Sequence, residues 1–282
     1  GFSALTTDTL GSKSTAIGVN SLGSQNFTTA TDTFNTAVGY NAGAGVSTGI
    51  NNTLIGGLAG DALTDADYNL AIGVSALGSD TLGSRSVALG HQTLGTQNFT
   101  TATDAYNVAV GFSAGNAITT GQFNVAVGGR ALDASTTAWS NTAIGDRTLS
   151  TDTRGQASTA VGYRALTTQN FTTATDVYNV AVGFNAGVSV STGVQNTLIG
   201  ALAGDALTDA DYNVAIGTDA LASDTLGSRS IAIGRRALQT QNFTTATDSY
   251  NIGVGFEAGH NITTGVQNTL IGGLAGDALT DA

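Results

Sequence analysis

The chain of 282 residues carries 20 acidic and nine basic residues, a net charge of −11, so nucleic acid and other polyanions are disfavoured as partners. It has no cysteine, methionine or proline, 39 glycines and only 10% charged residues, which excludes a disulfide framework and a thiolate metal site and is unlike the composition of a globular enzyme. No signal peptide and no apolar run of about eighteen residues is present, so no membrane insertion is expected in this segment, and a start at Gly1 inside a repeat suggests a fragment of a longer chain.

From the N-terminus onward the chain is a succession of short predicted strands, each closed by glycine. The first covers Ser14–Ile17 before Gly18, the second Asn35–Val38 before Gly39, the third Asn52–Ile55 before Gly56 and the fourth Asn69–Ile72 before Gly73. The same glycine recurs at 90, 111, 128, 145, 162, 183, 200, 217, 234, 255 and 272. One long interval, as from Gly18 to Gly39, is followed by three equal shorter ones, and the pattern restarts at Gly90, Gly162 and Gly234, which makes a superrepeat of four units. Gly1 fits as one earlier mark. Residues 52–69 return at 196–213 with a single exchange, Gly57 for Ala201, and the same run starts again at Asn268. The expected organisation is one continuous array over 1–282, with superrepeats at about 18–89, 90–161, 162–233 and 234–282.

Fixed offsets from the glycine define the unit. Four residues before it stands Asn, or Ser at 14, 86, 158 and 230, which implies a ladder. The residues one and three before it are Ile, Val, Leu or Thr, and they share one face of an extended strand because side chains alternate. Between them sits Ala in eleven of fifteen cases, which places a stripe of small side chains on the opposite face. Past the glycine, the third position is almost always Ala and the fourth is only Leu or Gly. No helical period survives glycine at such regular intervals. A unit this short cannot bury its own apolar face, so stacked units must form the core. The fold expected is all-β, a parallel β-solenoid with 17- and 21-residue coils. The Ala-rich face is expected to need cover from identical chains, which cyclic symmetry supplies.

The stretches "STAIGVNSL" (14–22), "NTAVGYNAG" (35–43), "NLAIGVSAL" (69–77) and "SVALGHQTL" (86–94) resemble the head repeats of trimeric autotransporter adhesins, the YadA-like heads. The phrases "YNVAVGFNAG" (178–187) and "NTLIGALAGDALTDADYNVAIG" (196–217) are similar to repeats in tail fibres of marine bacteriophages. The resemblance covers essentially the whole chain and implies a left-handed, trimeric β-roll. The period is longer than that of the adhesin heads, so each coil is expected to carry a longer outer loop.

Four copies of "QNFTTATD", starting at Gln25, Gln97, Gln169 and Gln241, lie in the longer intervals. They are expected to bulge outward in a row, offering Phe27, Thr28, Phe99, Thr100, Phe171, Thr172, Phe243 and Thr244 as receptor-contact residues, because loops on rigid scaffolds carry recognition. Asn26, Asn98, Asn170, Asn242, Asn51 and Asn261 match the short N-glycosylation pattern. Asp61, Asp65 and Asp67, repeated at 205, 209 and 211, bring oxygens together as calcium prefers, yet the equivalent stretch after Gly128 keeps only Asp133, so no structural metal is expected. Aromatic residues just before the Asn ladder and just after the glycine suit stacking between coils, with a sugar-binding platform as the sharper alternative. His91 and His260 sit at different repeat offsets, no catalytic triad or phosphate-binding loop appears, and no cofactor is expected. Together these readings predict a structural protein, the shaft or head of a homotrimeric attachment fibre on a phage virion, binding a host-surface glycan or protein. The alternatives are a bacterial cell-surface adhesin or extracellular filament and, further off, a polysaccharide-degrading tailspike.

Overall fold

In the computed structural model, which describes residues 1–281, the chain is all-β, with no helix among the described residues. Two compact units are formed, Gly1–Ser140 and Asn141–Ala282. Each is a parallel β-solenoid, with about fifteen turns between them. In the first unit a strand of three residues precedes each motif glycine from Gly18 to Gly128, and in the second from Gly145 to Gly272. Neighbouring strands pair in parallel with identical offsets aligned: Val108, Ala109 and Val110 face Val125, Ala126 and Val127 across a shorter interval. The same alignment holds across a longer one, where Val108 faces Val87. The four additional residues are therefore absorbed without shifting the register.

Two features of the backbone explain the fixed offsets. Each motif glycine has φ between +125° and +146°. At Gly18, Gly56 and their equivalents a Cβ would strike the next motif glycine; at Gly111 it would stand 2.6 Å from the Gly128 carbonyl oxygen. Only glycine fits that approach. The corners are left-handed: residues five before and two after the glycine have positive φ, as at Tyr68 and Ser75, and so does the fourth after it, as at Leu77 or Gly60. Leu and Gly at that fourth position follow a volume rule. Where it is Leu, the residue three further on is polar (Leu77 with Asp80, Leu94 with Gln97); where it is Gly, that residue is aliphatic (Gly60 with Leu63, Gly115 with Ile118). A Cβ added at Gly60 would lie 2.7 Å from Leu54 Cδ2 and 2.8 Å from Leu63 Cδ1, so one large side chain fills the space from either origin.

The Ala stripe lies inside. Ala37, Ala71, Ala88, Ala109, Ala143 and their equivalents are fully buried within the single chain, against the leucines just described. This corrects the expectation that the Ala face needs a partner. The roll is thin, and small side chains are what its interior admits. The outward residues are those one and three before the glycine, β-branched except at Leu70 and Leu89, and half-buried or exposed in every coil.

The Asn ladder is present and buried. Asn52 N–H donates to Asn35 Oδ1 (2.9 Å), Asn69 N–H to Asn52 Oδ1 (2.9 Å) and Ser86 N–H to Asn69 Oδ1 (2.9 Å), while the amide nitrogens of the ladder Asn from Asn35 to Asn251 donate to a carbonyl further along the chain, Asn52 to Ala66 O at 2.7 Å. The backbone groups at this corner are thus satisfied by side chains where the turn removes them from the strand ladder.

Candidate functional site

The loop segment "QNFTTATD" is half interior. Gln97 is fully buried, its amide donating to Asp80 Oδ2 at 2.5 Å and to Ser86 Oγ at 3.0 Å, while its Oε1 accepts from Asn107 at 2.8 Å. Asp80, also fully buried, accepts at Oδ1 from the N–H groups of Gly83 (3.0 Å) and Phe99 (3.1 Å). The same clamp joins Asp152, Gln169, Ser158 and Asn179, and again Asp224, Gln241, Ser230 and Asn251. It explains the Ser at every fourth rung of the ladder: the shorter side chain leaves room for Gln to bridge the longer interval. Glycine stands at position 83 because a Cβ would lie 2.1 Å from Asp80 Oδ2 and 2.7 Å from the Phe99 ring. At the partly exposed Asp8, burial works against the charge, but donation from the Gln25 amide and from the Gly11 and Phe27 N–H groups outweighs it and holds the carboxyl below its ordinary range.

Phe27, Phe99, Phe171 and Phe243 are therefore not displayed; they are only 4–8% exposed. The expectation that the loop bulges outward as a whole is corrected, because the clamp draws Gln and Phe inward. Thr28, Thr100, Thr172 and Thr244 are exposed. Beyond them, Thr103–Asp104 pairs in parallel with Gly83–Ser84, and Asp104 meets Arg85 at 2.9 Å. Asp32 meets Lys13 and Asp248 meets Arg229 in the same way, whereas the position equivalent to Arg85 before Asp176 is Ala157. Lys13 holds the Asp32 carboxyl below its usual range, helped by Ser12. Asn98 is exposed, with Oδ1 accepting from Thr81 at 3.0 Å.

The acidic cluster does local work. Asp65 accepts from Thr48 (2.6 Å), Asp67 accepts from the Ile50 N–H (2.8 Å), and the Asp67 N–H donates to Ser84 (2.9 Å). Burial pushes the carboxyls of Asp61 and Asp205 up, and Asp67 is raised by burial and then by the nearby Asp65 charge. No group of three or more metal-ligating side chains gathers, and no pocket opens, among the described residues. His91 stacks on Phe112 at 5.6 Å, and His260 lies between Gln239 and Asn261. The aromatic stacking expected between coils is found at Tyr106–Phe123 (5.7 Å) and Tyr163–Phe184 (5.5 Å). Arg85 adds its guanidinium over Tyr68 at 4.8 Å. In these pairs one face of each ring is taken up by its neighbour along the column.

The most extended feature is the outward face of the strands. Its residues one and three before each glycine include no charged side chain in either unit. Ile17, Ile72, Ile144, Val182, Ile199 and Ile233 are 36–59% exposed on it. Aromatic residues border it on both sides: Phe34, Tyr68, Tyr106 and Phe123 before the Asn, and Tyr40, Phe112, Tyr163 and Phe184 after the glycine, all exposed. Sequence reasoning assigned the open face to alanine and missed it. It also missed the Asp–Gln clamp, whose signal was the Asp seven positions after one glycine followed by Gln seven positions after the next.

Fold and surface together define a parallel β-solenoid with a polar inner corner and an uncharged outward sheet face. Comparison with known proteins finds no matching family model, curated protein or solved structure. No helix among the described residues is long and apolar enough to cross a membrane.

Proposed function

We propose that this chain is a structural protein, the shaft or head of a homotrimeric attachment fibre, left-handed in its winding and carried on a phage virion. The observation that carries the reading is the uncharged, β-branched outward face, exposed in coil after coil and bordered by exposed rings. Monomeric proteins rarely expose apolar patches beyond a few hundred Å². Identical chains around an axis cover such a face with copies of itself, and three is the number implied by the resemblance to adhesin heads. The exposed Thr28, Thr100, Thr172 and Thr244 then recur along each chain as repeated weak contacts for a host-surface glycan or protein, which avidity makes sufficient. The same face supports the second reading, a bacterial surface adhesin or filament, equally well; the tailspike reading has no residue constellation behind it.

The test is a charge on the outward face. Val110→Asp with Val127→Asp leaves the inward Ala109, Ala126 and the Asn ladder untouched. The expected result is a chain that keeps its β circular-dichroism spectrum and loses its assembled mass. An assembly of unchanged mass and stability would refute the role given to this face.

A further inference from the structure

At one offset the array keeps a hydrogen-bonded carboxylate in two copies and abandons it in the third. Six residues before Gly73 and Gly217 stand Asp67 and Asp211; each accepts at Oδ1 from the N–H one coil earlier, Ile50 or Val194 at 2.8 Å, and its own N–H donates to Ser84 or Ser228 at 2.9 Å. The next residue is Tyr68 or Tyr212, with the Arg85 guanidinium over the first ring at 4.8 Å and Arg229 over the second at 4.7 Å. Before Gly145 the same two positions hold Trp139 and Ser140. The carboxylate is gone, the ring has moved one position back along the chain, and it is the only tryptophan present. An indole accepts no hydrogen bond in place of the carboxylate, and Trp139 remains 45% exposed. The exchange therefore gives up an intrachain bond and places a large ring in solvent.

Trp139 does not continue the aromatic column beside it. Tyr106 and Phe123 lie nearly parallel, at 13°, whereas Trp139 is turned 61° from Phe123 and meets it edge-on at 6.3 Å. An edge contact takes up at most one face of the indole. No other ring or cation engages Trp139 among the described residues, and its Nε1–H makes no hydrogen bond there. Polar groups without partners surround it: the half-buried Gln122 holds the same offset one coil earlier, and the exposed Ser140 follows, its N–H donating to Gln122 O at 3.1 Å. None of Trp139, Gln122, Phe123 and Ser140 is charged. Arg85, two coils before Phe123, is tied to Asp104 at 2.9 Å. The ring also lies past the left-handed corner at Ser140, off the outward strand face.

We propose that Trp139, with Phe123, Gln122 and Ser140, forms a stacking site for a neutral saccharide chain. A pyranose has an apolar C–H face and a rim of hydroxyls; the indole and phenyl rings meet the first, and the Gln122 amide, the Ser140 hydroxyl and the indole N–H meet the second. A flat flank without a pocket suits a chain lying across it. Neutrality follows from charge: the site holds no free cation, and a net charge of −11 disfavours uronic or sialylated glycans. The site is separate from the exposed threonines and from the outward face, and its occupation does not depend on self-association.

The single tryptophan makes the site its own reporter in the full chain. Emission is recorded during titration with maltohexaose, cellohexaose and laminarihexaose as neutral probes and hexagalacturonate as an acidic one. At least one neutral probe should shift the emission saturably to the blue, with no shift from hexagalacturonate. The double variant Trp139→Asp with Ser140→Tyr restores the residues of the other two copies and so keeps a sequence the fold already accepts; by calorimetry it should bind the responding probe about tenfold more weakly or worse. Gln122→Ala should weaken it by a smaller factor. No shift from any neutral probe, a stronger response to hexagalacturonate, or undiminished binding by the double variant would overturn the site. So would a double variant that loses assembled mass, because Trp139 would then belong to a contact between copies.

Discussion

The inner corner and the outer face of the same strands obey the same period for different reasons. At the corner, every recurrence has an intrachain cause: Asn accepts from the next Asn N–H, Ser makes room for Gln, and Asp80 takes three donors from Gln97, Gly83 and Phe99. On the face, the β-branched pairs and the rings bordering them recur as faithfully, yet solvent is what many of them meet. A solenoid coil needs its polar corner to stay folded, because buried polar groups left unpaired are costly. It does not need an exposed isoleucine. The difference therefore separates what holds one chain together from what that chain offers to another.

The sharpest way to break that distinction is to exchange glycines from the two regions. Gly111→Ala combines a left-handed φ of +131° with a Cβ 2.6 Å from the Gly128 oxygen, and should cost on the order of 3 kcal/mol or more. Gly57→Ala should leave the urea midpoint within error, since nothing lies near its Cβ. Equal midpoints for the two variants would undo the assignment of the motif glycine to backbone contact. A smaller loss is expected from Asp80→Asn, which sets an amide donor against existing donors and should cost about 1–3 kcal/mol; no change in the urea midpoint would mean the clamp is incidental. The smallest effect concerns Asp205, whose carboxyl is raised by burial. A raised carboxyl opposes folding while it is ionised and ceases to do so once the pH falls below its ordinary value. Asp205→Asn should therefore raise the melting temperature slightly at neutral pH, with the gain vanishing as the solution is acidified. A gain that grows in acid would reverse the sign.

Much of this was legible in the sequence because a solenoid turns spacing into geometry. The glycine marks, the strand length, the parallel register and the Asn ladder follow from offsets alone. What misled was the assumption that small residues mark an outer contact. Alternation tells that Ala109 and Val110 face opposite ways but not which way is in, and the decision falls to volume: the roll encloses Leu94 and Ile118 and has room only for alanine beside them. The loop was misjudged for a related reason. "QNF" reads as a polar insertion until Asp80, one coil before Gln97, is seen to lie beneath it. The covariation of the fourth and seventh positions after each glycine carried that information in plain sight, as pairs of letters that trade volume.

Sedimentation equilibrium of the unmodified chain across a wide dilution series tests the central claim most directly. The account predicts a species of three times the 28.0 kDa chain mass, persisting to low concentration with full β signal. A folded single chain that keeps its outward face in water at every concentration would contradict it.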